Sequence, residues 1–280
     1  MTTRSAVRLL TALAIVAVLA ACGSNKAKDG PPRSGSGSIP NLPGDAVPRP
    51  EAKSRYGNGP NYEVLGKHYT VMPSAHGYRE RGVASWYGKK FHGNLTSNRE
   101  TYNMYGMTAA HKTLPLPTYV RVRNLRNDKT IVVRVNDRGP FVHNRIIDLS
   151  YAAALKLEMV GTGTSLVEIE AITFGGPSGD RPTRRNTTPK PAAVAAQPAP
   201  GNTNRIFVQI GAFGSRDNAD RRLALLRSGG IGAASVIEDQ SVNPALYRVR
   251  MGPIQGVAQY DMLVEELAGL GIHDPIIVTE

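Results

Sequence analysis

Hydrophobic residues fall into three patterns along the chain, and the first is one unbroken run near its start. Residues 9–21 are almost entirely apolar and follow two basic residues, Arg4 and Arg8. The run is too short to cross a bilayer comfortably, since a membrane-spanning helix needs about 20 residues. We therefore predict that residues 1–21 are a signal peptide, with this run as its apolar core.

The second pattern is an alternation of apolar and polar residues in the middle of the chain, which is typical of half-buried strands. The alternating segments are residues 82–87, 119–123, 130–135 and 166–172. One short helix is expected after Ser150, whose hydroxyl suits a helix N-cap. Residues 81–175 are thus predicted to form a β-rich domain with one or two small helices.

The third pattern alternates strand and helix signals over residues 204–280. A strand near residue 206 is followed by a helix that begins at Ser215, by two further strands, by a second helix that stops at Gly271, and by a last strand. The order βαββαβ is that of the ferredoxin-like fold. We predict a separate α+β domain here.

Between these domains the composition changes to that of linkers. Residues 22–80 are interpreted as a flexible tether, because glycine, proline, serine and lysine dominate up to about residue 60; residues 61–80 are intermediate in composition. Residues 176–203 are rich in proline and alanine and form a second predicted linker.

Charge and cysteine content narrow the function. The net charge of +12 suits an anionic polymer, which is nucleic acid, anionic lipid or cell-wall glycan. The chain has a single cysteine, which excludes a disulfide scaffold and a cysteine-based zinc site within one chain. Its six histidines show no ligand pair at helical or hairpin spacing, and a phosphate-binding glycine loop is missing. We predict no metal and no cofactor.

The single cysteine, Cys22, directly follows Leu19, Ala20 and Ala21. This string resembles the lipobox of bacterial lipoproteins, in which the cysteine becomes the lipid-modified first residue. The alternative is an ordinary secretory signal with a chance cysteine. Glycine and serine follow Cys22 where aspartate would signal inner-membrane retention, so the resemblance implies the periplasmic face of the outer membrane. Nucleic acid is therefore not expected as a partner.

Three titratable residues in the middle domain are candidates for catalysis. Asp137 ends a strong strand before a Gly-Pro pair, Glu100 lies in a polar loop, and His111 follows a short apolar segment. Two carboxyl groups can divide acid and base work if their surroundings separate their pKa values. The structural alternatives are a turn-former paired with Arg138, an exposed glutamate and a buried hydrogen-bonding histidine. Asp148 is expected to act structurally, at the start of the predicted helix.

The middle domain resembles the double-psi β-barrel of the rare lipoprotein A family. The matching strings are residues 84–88, 91–93, 108–115, 135–141 and 145–150. The resemblance implies a six-stranded barrel with lytic transglycosylase activity on peptidoglycan, and it carries over Glu100, His111 and Asp137 as catalytic residues. Two positions depart from the family: Arg99 stands where glycine usually precedes the glutamate, and Asn103 stands where aspartate is frequent.

The reaction implied by the resemblance is cleavage of the β-1,4 bond between N-acetylmuramic acid and N-acetylglucosamine, with formation of a 1,6-anhydro end. We assign acid–base work to Asp137, stabilisation of the oxocarbenium-like state to Glu100 and an orienting role to His111, although the two carboxylates are interchangeable at this stage. Because some relatives of this barrel bind glycan without cleaving it, a non-catalytic cell-division protein is the alternative. A plain hydrolase, which would leave reducing ends, is a third.

The last domain resembles SPOR domains, which bind peptide-free (denuded) glycan at division septa. The matching strings are residues 207–213 and 247–253. Strand alternation predicts that one set of side chains packs against the helices and the other faces outward. The predicted glycan-binding open face consists of Phe207, Gln209, Phe213, Arg248 and Arg250; the alternative is an ordinary solvated face. The resemblance also implies enrichment at the septum, with proteins of the division machinery as candidate partners.

Overall fold

The computed structural model describes residues 30–31, 41–174 and 204–280. The predicted signal peptide, the lipidation site Cys22 and the linker at residues 176–203 lie outside the described residues. Within the described ranges, no helix is both long enough and apolar enough to cross a membrane.

A short hairpin precedes the first domain and consists of β1 (Asn61–Val64) and β2 (Lys67–Thr70). The domain itself is a closed six-stranded barrel. Its strands are β3 (Arg79–Tyr87), β4 (Thr108–His111), β5 (Thr118–Asn124), β6 (Thr130–Asp137), β7 (Ile147–Ser150) and β8 (Thr164–Ile172). They are ordered β3-β7-β4-β6-β5-β8, and the pairs β3–β7 and β4–β6 are parallel. The predicted double-psi barrel is confirmed.

Alternation along the strands fills the barrel interior. In β6 the side chains of Ile131, Val133 and Val135 are buried in the central cluster, whereas Arg134 between them is partly exposed. Side chains of successive strand residues point to opposite sides. Arg134 is thereby placed toward the barrel surface, where the candidate site lies.

The predicted helix is α1 (Tyr151–Lys156), and Ser150 caps it, since its hydroxyl accepts a hydrogen bond from Ala153 N at 3.2 Å. The expectation that Asp148 sits at the helix start needs correction. Asp148 lies within β7, opposite Ser85 and Ala110, two residues before the cap. The sequence pattern predicted no strand at this place, and β7 occupies the residues that lead up to the cap.

Residues 41–60, which we name the N-terminal strap, lie along the barrel. Backbone hydrogen bonds join Ala46 N to the Val132 carbonyl at 3.0 Å and Ser54 N to the Leu116 carbonyl at 2.8 Å. The hairpin of β1 and β2 follows the strap and is anchored by Tyr62, whose hydroxyl donates to the Lys112 carbonyl at 2.7 Å. The predicted flexible tether of residues 22–80 is therefore corrected for residues 41–80. Hydrogen bonds hold this segment on the barrel, and Ala46, Met72 and Ala75 also pack into or against the barrel core.

The second domain contains six elements in the predicted order. They are β9 (Ile206–Phe213), α2 (Arg216–Ser228), β10 (Ala234–Asp239), β11 (Leu246–Met251), α3 (Val257–Gly269) and β12 (Ile276–Thr279). The antiparallel sheet has the order β10-β11-β9-β12, which is the ferredoxin-like arrangement. Leu226 of α2 and Leu267 of α3 are fully buried in one cluster with Val208 of the sheet. This α+β prediction is also confirmed.

The two domains touch through the outer wall of the barrel. Val83 of β3 and Leu166 of β8 point away from the barrel interior and belong to the hydrophobic cluster of the second domain. An ion pair lies beside this contact, in which both Nη atoms of Arg145 approach the carboxylate of Asp261 at 3.1 Å. Apolar burial and a two-pronged ion pair thus hold the second domain against the barrel.

Candidate functional site

A β-bulge at the end of β6 shapes the candidate site. The register of β4 against β6 shifts so that Ala109 lies opposite Val135 and Ala110 opposite Asp137, which leaves Asn136 as the extra residue. A bulge re-aims the side chains on either side of it, and such bulges recur beside active sites. Asn136 lies on the same side of the strand as Arg134, and both contact Glu100, while Asp137, which follows the bulge, contacts Ser97.

One oxygen of Asp137 is held by three donors. Ser97 donates to Oδ1 from its backbone N at 2.8 Å and from Oγ at 2.6 Å, and Arg138 N donates to the same oxygen at 2.8 Å. Among the residues that the structure describes, Oδ2 accepts no hydrogen bond. The carboxyl group is therefore fixed by one oxygen and presents the other for chemistry.

Glu100 has a different environment, in which both oxygens are occupied. Arg134 Nη1 donates to Oε1 at 2.9 Å and to Oε2 at 2.8 Å, while Asn98 Nδ2 donates to Oε1 at 2.8 Å and Asn136 Nδ2 to Oε2 at 2.7 Å. Burial raises the pKa of Glu100, but the hydrogen bonds from Asn136 and Arg134 outweigh it, so that the pKa is lowered overall. Glu100 is held in its ionised form.

The structure brings the two carboxylates into one network through a single loop. Ser97 of this loop binds Asp137, and Asn98, the next residue, binds Glu100. Asn136, adjacent to Asp137 in the chain, closes the network on Glu100. The two carboxyl groups share a loop but differ in their partners, which is the arrangement that separates acid–base roles.

His111 occupies a buried place apart from both carboxylates. Its Nδ1 accepts hydrogen bonds from Thr113 N at 3.1 Å and Leu114 N at 3.0 Å, and its Nε2 lies 2.9 Å from the hydroxyl of Tyr78. Burial, followed by the charges of Arg138 and Lys112, lowers the pKa of His111 to about 3. The ring is neutral, and its two nitrogens bind Tyr78, Thr113 and Leu114 and neither carboxylate, so an orienting role of His111 acts through intermediate groups.

His111 is nevertheless connected to Asp137 through the backbone. The turn that its ring stabilises presents the carbonyls of His111 and Leu114, which accept hydrogen bonds from Arg138 Nη1 at 3.1 and 2.6 Å. Arg138 N in turn donates to Asp137. The histidine is therefore a buried hydrogen-bonding residue that supports the end of β6 indirectly, through the turn and Arg138.

The two departures from the family pattern have structural explanations. Arg99 has a φ of 71°, in the left-handed region that favours glycine, and its guanidinium lies 5.5 Å from the ring centre of Tyr56 in the N-terminal strap. A cation–π contact of this kind offsets part of the backbone strain. Asn103 accepts a hydrogen bond from Tyr105 N at 3.0 Å and so stabilises its own turn.

A cavity of about 300 Å³ opens beside Asp137. Its wall combines apolar rings of the hairpin and the barrel with polar groups next to the carboxylate. The lining residues are Gly57, Gly59, Tyr62, Val64, Ser97, Arg138 and Phe141. Clefts with an apolar lining and a few placed polar groups are typical of ligand sites.

On the sheet face opposite the helices of the second domain, Gln209 is buried, at 7% exposure, between two arginines. Its Oε1 is 3.4 Å from Arg248 Nη1 and 3.3 Å from Arg250 Nε. Each arginine also binds a carboxylate, since Arg248 Nε donates to Asp239 at 2.6 Å and Arg250 Nη1 to Glu280 at 2.6 Å. The face is a hydrogen-bonded row whose positive charges are neutralised within the domain.

Phe213 lies on the other side of this sheet, contrary to the prediction. The register of β9 against β11 shifts after Val249, which makes Ile210 the extra residue of a second bulge. Phe213 therefore pairs with Tyr247 on the helix side, where Arg222 of α2 lies 5.8 Å from its ring centre. Phe207 precedes the bulge and keeps the predicted orientation, half-buried opposite Val278.

Several residues of the site were missed by the sequence analysis. Arg134 and Ser97 contact the two carboxylates directly, and Glu51 of the N-terminal strap contacts Arg134. The polar position of Arg134 inside an apolar strand was a visible signal. Nothing in the local pattern pointed to Glu51, because its partner lies 83 residues further along the chain.

Comparison with known proteins gives two family matches. A family described as "Lytic transglycolase" matches residues 79–169, and the SPOR domain family matches residues 202–279. The endolytic peptidoglycan transglycosylase RlpA of Pseudomonas aeruginosa (strain UCBPP-PA14) is 39% identical over 277 residues, covering 84% of this chain and 80% of the relative.

Other relatives of the same name are similar over different lengths. The protein from Neisseria meningitidis (strain Z2491) is 41% identical over 218 residues, covering 75% of this chain and 79% of its own. That from Vibrio cholerae is 56% identical over 142 residues, covering 51% of this chain and 54% of its own. Among solved structures, the Streptomyces papain inhibitor covers 36% of this chain and 99% of its own, at 22% identity and a TM-score of 0.30.

Proposed function

The chain belongs to the RlpA family of endolytic peptidoglycan transglycosylases, and from this premise we propose that it cleaves the β-1,4 bond between N-acetylmuramic acid and N-acetylglucosamine without water. The hydroxyl on C6 of the muramic acid attacks C1 of the same sugar. The C1–O4 bond breaks, a C1–O6 bond forms, and the products are a 1,6-anhydro end and a free O4 hydroxyl on N-acetylglucosamine.

Asp137 is the acid and then the base of this reaction. It first gives its proton to the leaving O4 and then takes the proton from the attacking C6 hydroxyl, so that the carboxyl group ends as it began. The observation that carries this assignment is the asymmetry of the group, with Oδ1 fixed by three donors and Oδ2 unoccupied by the described residues. A fixed group with one free oxygen can deliver and collect a proton at one place.

Glu100 has the electrostatic role. Cleavage of a glycosidic bond develops positive charge on the sugar ring in the transition state. A carboxylate that Arg134 and Asn136 keep ionised can stabilise this charge, whereas its lowered pKa makes it a poor proton donor. The environments of the two carboxyl groups thus favour the assignment with Asp137 as acid and base over the exchanged one.

Arg138 and His111 are positioning residues in this scheme. The guanidinium of Arg138 is clamped by carbonyls from the turn at His111 and by the strap, through the Gly57 carbonyl at 2.9 Å. The backbone N of the same residue holds Asp137. Substitution of His111 is therefore expected to loosen the end of β6 and to lose less activity than substitution of Asp137.

The second domain binds peptidoglycan as a SPOR domain, and we infer that it selects denuded glycan at the septum. Support comes from the open face, where Gln209 and two arginines form a row of hydrogen-bonding groups beside the half-buried ring of Phe207. Sugars present hydroxyls at their edges and apolar faces in between, which matches such a surface. Stem peptides on the glycan would obstruct close approach to this sheet.

We further propose that Cys22 is lipidated and anchors the chain at the periplasmic face of the outer membrane. Support comes from the sequence, in which the cysteine ends the apolar run and is followed by glycine and serine. Enrichment at the septum and contacts with division proteins are proposals that depend on the second domain.

The products of digestion test the proposed function. Purified mature chain is incubated with denuded sacculi, and the released glycan is separated by chromatography and identified by mass. Anhydro ends within internal cleavage products are the expected result. Reducing ends would show a hydrolase, and intact glycan that still sediments with the protein would show a binding protein without this activity.

A further inference from the structure

Arg134 stands between two carboxylates from distant parts of the chain. One edge of its guanidinium faces Glu51 of the N-terminal strap, with Nε to Oε1 at 3.1 Å and Nη2 to Oε2 at 2.8 Å. The remaining nitrogen, Nη1, binds both oxygens of Glu100 at 2.9 and 2.8 Å. All three nitrogens of the guanidinium are thereby engaged.

The pair of Glu51 and Arg134 is shielded more strongly than Glu100. The side chains of Glu51 and Arg134 are 20% and 18% exposed, whereas that of Glu100 is 42% exposed. Tyr119 donates a further hydrogen bond to Glu51 Oε1, and Arg49 Nε donates to the same oxygen at 3.4 Å. A two-pronged pair between arginine and carboxylate fixes the plane of the guanidinium as well as its position.

We propose that Glu51 is a positioning residue of the reaction, which holds Arg134 so that Arg134 keeps Glu100 in one orientation. The inference rests on the proposed role of Glu100. Without Glu51, the guanidinium loses the partner that fixes two of its three nitrogens, and Arg134 can rotate about its long side chain. Glu100, the most exposed member, would then sample several orientations relative to the sugar ring. The N-terminal strap would thus form part of the catalytic unit.

The strap provides a matched control in Asp45. Its carboxylate accepts a hydrogen bond from Val132 N at 3.0 Å and forms an ion pair with Lys156. Asp45 therefore fastens the same strap to the same barrel through a backbone amide and a cation, but its partners do not include Arg134 or Glu100. A purely structural role of the strap predicts equal effects at Asp45 and Glu51.

The test compares Glu51→Gln, Asp45→Asn and Glu100→Gln in the mature chain, with soluble denuded glycan strands as substrate. We expect Glu51→Gln to lower kcat on the order of tenfold with KM nearly unchanged, since one charged hydrogen-bond pair is lost. Asp45→Asn should leave kcat within about twofold of the wild type under the same principle. The double variant Glu51→Gln/Glu100→Gln should be no slower than Glu100→Gln alone, because the first residue acts through the second.

Three results would overturn the inference. They are an unchanged kcat in folded Glu51→Gln, equal losses at Glu51 and Asp45, and additive losses in the double variant. If Glu51→Gln does not fold by circular dichroism, Glu51→Asp carries the same test, since its shorter carboxylate should lower kcat with KM nearly unchanged, and wild-type kcat in folded Glu51→Asp would equally overturn the inference. Wild-type activity in folded Glu100→Gln would instead refute the proposed role of Glu100 itself, which separates the two failures.

Discussion

Replacement of Asp137 by asparagine separates structure from chemistry at this site. The three donors on Asp137 all end on Oδ1, and the amide oxygen of asparagine can accept from all three. The amide NH₂ then takes the place of the unoccupied Oδ2. Because neutral hydrogen bonds are roughly half as strong as charge-assisted ones, the free energy of unfolding should fall by only about 1 kcal/mol.

The catalytic effect of Asp137→Asn should be far larger than its effect on stability. Acid–base catalysis by a positioned group typically contributes about 10²–10⁴-fold to a rate. At about 1.4 kcal/mol per tenfold, this corresponds to roughly 3–5 kcal/mol in the activation barrier. We therefore expect nearly complete loss of anhydro product from a protein that unfolds almost as the wild type does.

For Glu100→Gln we expect a larger loss of stability than for Asp137→Asn. Each oxygen of Glu100 accepts from two donors, so the amide NH₂ of glutamine must face the donor nitrogens of Arg134 and either Asn98 or Asn136. Each unmade hydrogen bond costs about 1–3 kcal/mol, and the partial exposure of this side chain places each cost toward the lower end, so the two unmade bonds together cost about 2 kcal/mol. Glu100→Gln should thus lose more stability than Asp137→Asn.

The assay combines thermal unfolding followed by circular dichroism with chromatography of products from denuded sacculi. Binding of the sacculus should survive in both variants, because the second domain is untouched. Asp137→Asn with near-wild-type anhydro product would refute its assignment as acid and base. Greater destabilisation by Asp137→Asn than by Glu100→Gln would refute the derivation from the hydrogen bonds.

Four further predictions follow from other parts of the chain. Cys22→Ser should abolish incorporation of labelled palmitate and release the protein from the outer-membrane fraction; retention of the label would contradict the anchor. Gln209→Ala should weaken sacculus binding while the domain stays folded, and unchanged binding would exclude this face. Asp261→Ala removes the partner of Arg145, so the radius of gyration by small-angle scattering should increase; an unchanged radius would show that the ion pair does not hold the domains together. The hydrogen bond from Arg134 is the chief reason that the pKa of Glu51 is lowered to about 2. Because the pKa is lower in the folded state than in the unfolded state, the stability difference between wild type and Glu51→Gln should be largest above pH 4.5 and should shrink toward pH 2. A difference that stays constant with pH would contradict this pKa.

The sequence predicted the fold well where alternation was regular. The strand ending at Asp137 and the βαββαβ order both follow from period-two and helical spacing, and both are observed. The prediction that Phe213 lies on the open face was wrong, because alternation assumes that every residue of β9 has one partner in the neighbouring strand. The bulge at Ile210 adds a residue, so every later side chain of β9 changes face.

The sequence named the two carboxyl groups of the candidate site but few of the residues that contact them. Glu100 and Asp137 stand in strings that resemble a known family, but the partners that distinguish their environments are set by tertiary contacts. Asp137 reaches Ser97 from beyond a bulge that regular alternation does not predict, and Glu51 reaches Arg134 across 83 residues of chain. The polar composition of the strap suggested a free chain, since a hydrogen-bonded segment leaves no hydrophobic period in the sequence.

The position of the N-terminal strap also limits how far the enzyme can travel from its proposed anchor. A fully extended chain spans at most about 3.3–3.6 Å per residue, so a free tether from Cys22 to residue 80 would allow excursions of roughly 200 Å. With the chain on the barrel from residue 41, the same limit is roughly 65 Å, and the hydrogen bond from Lys89 N to the Gly30 carbonyl shortens it further. The barrel would then reach only the glycan strands that lie close to the membrane surface.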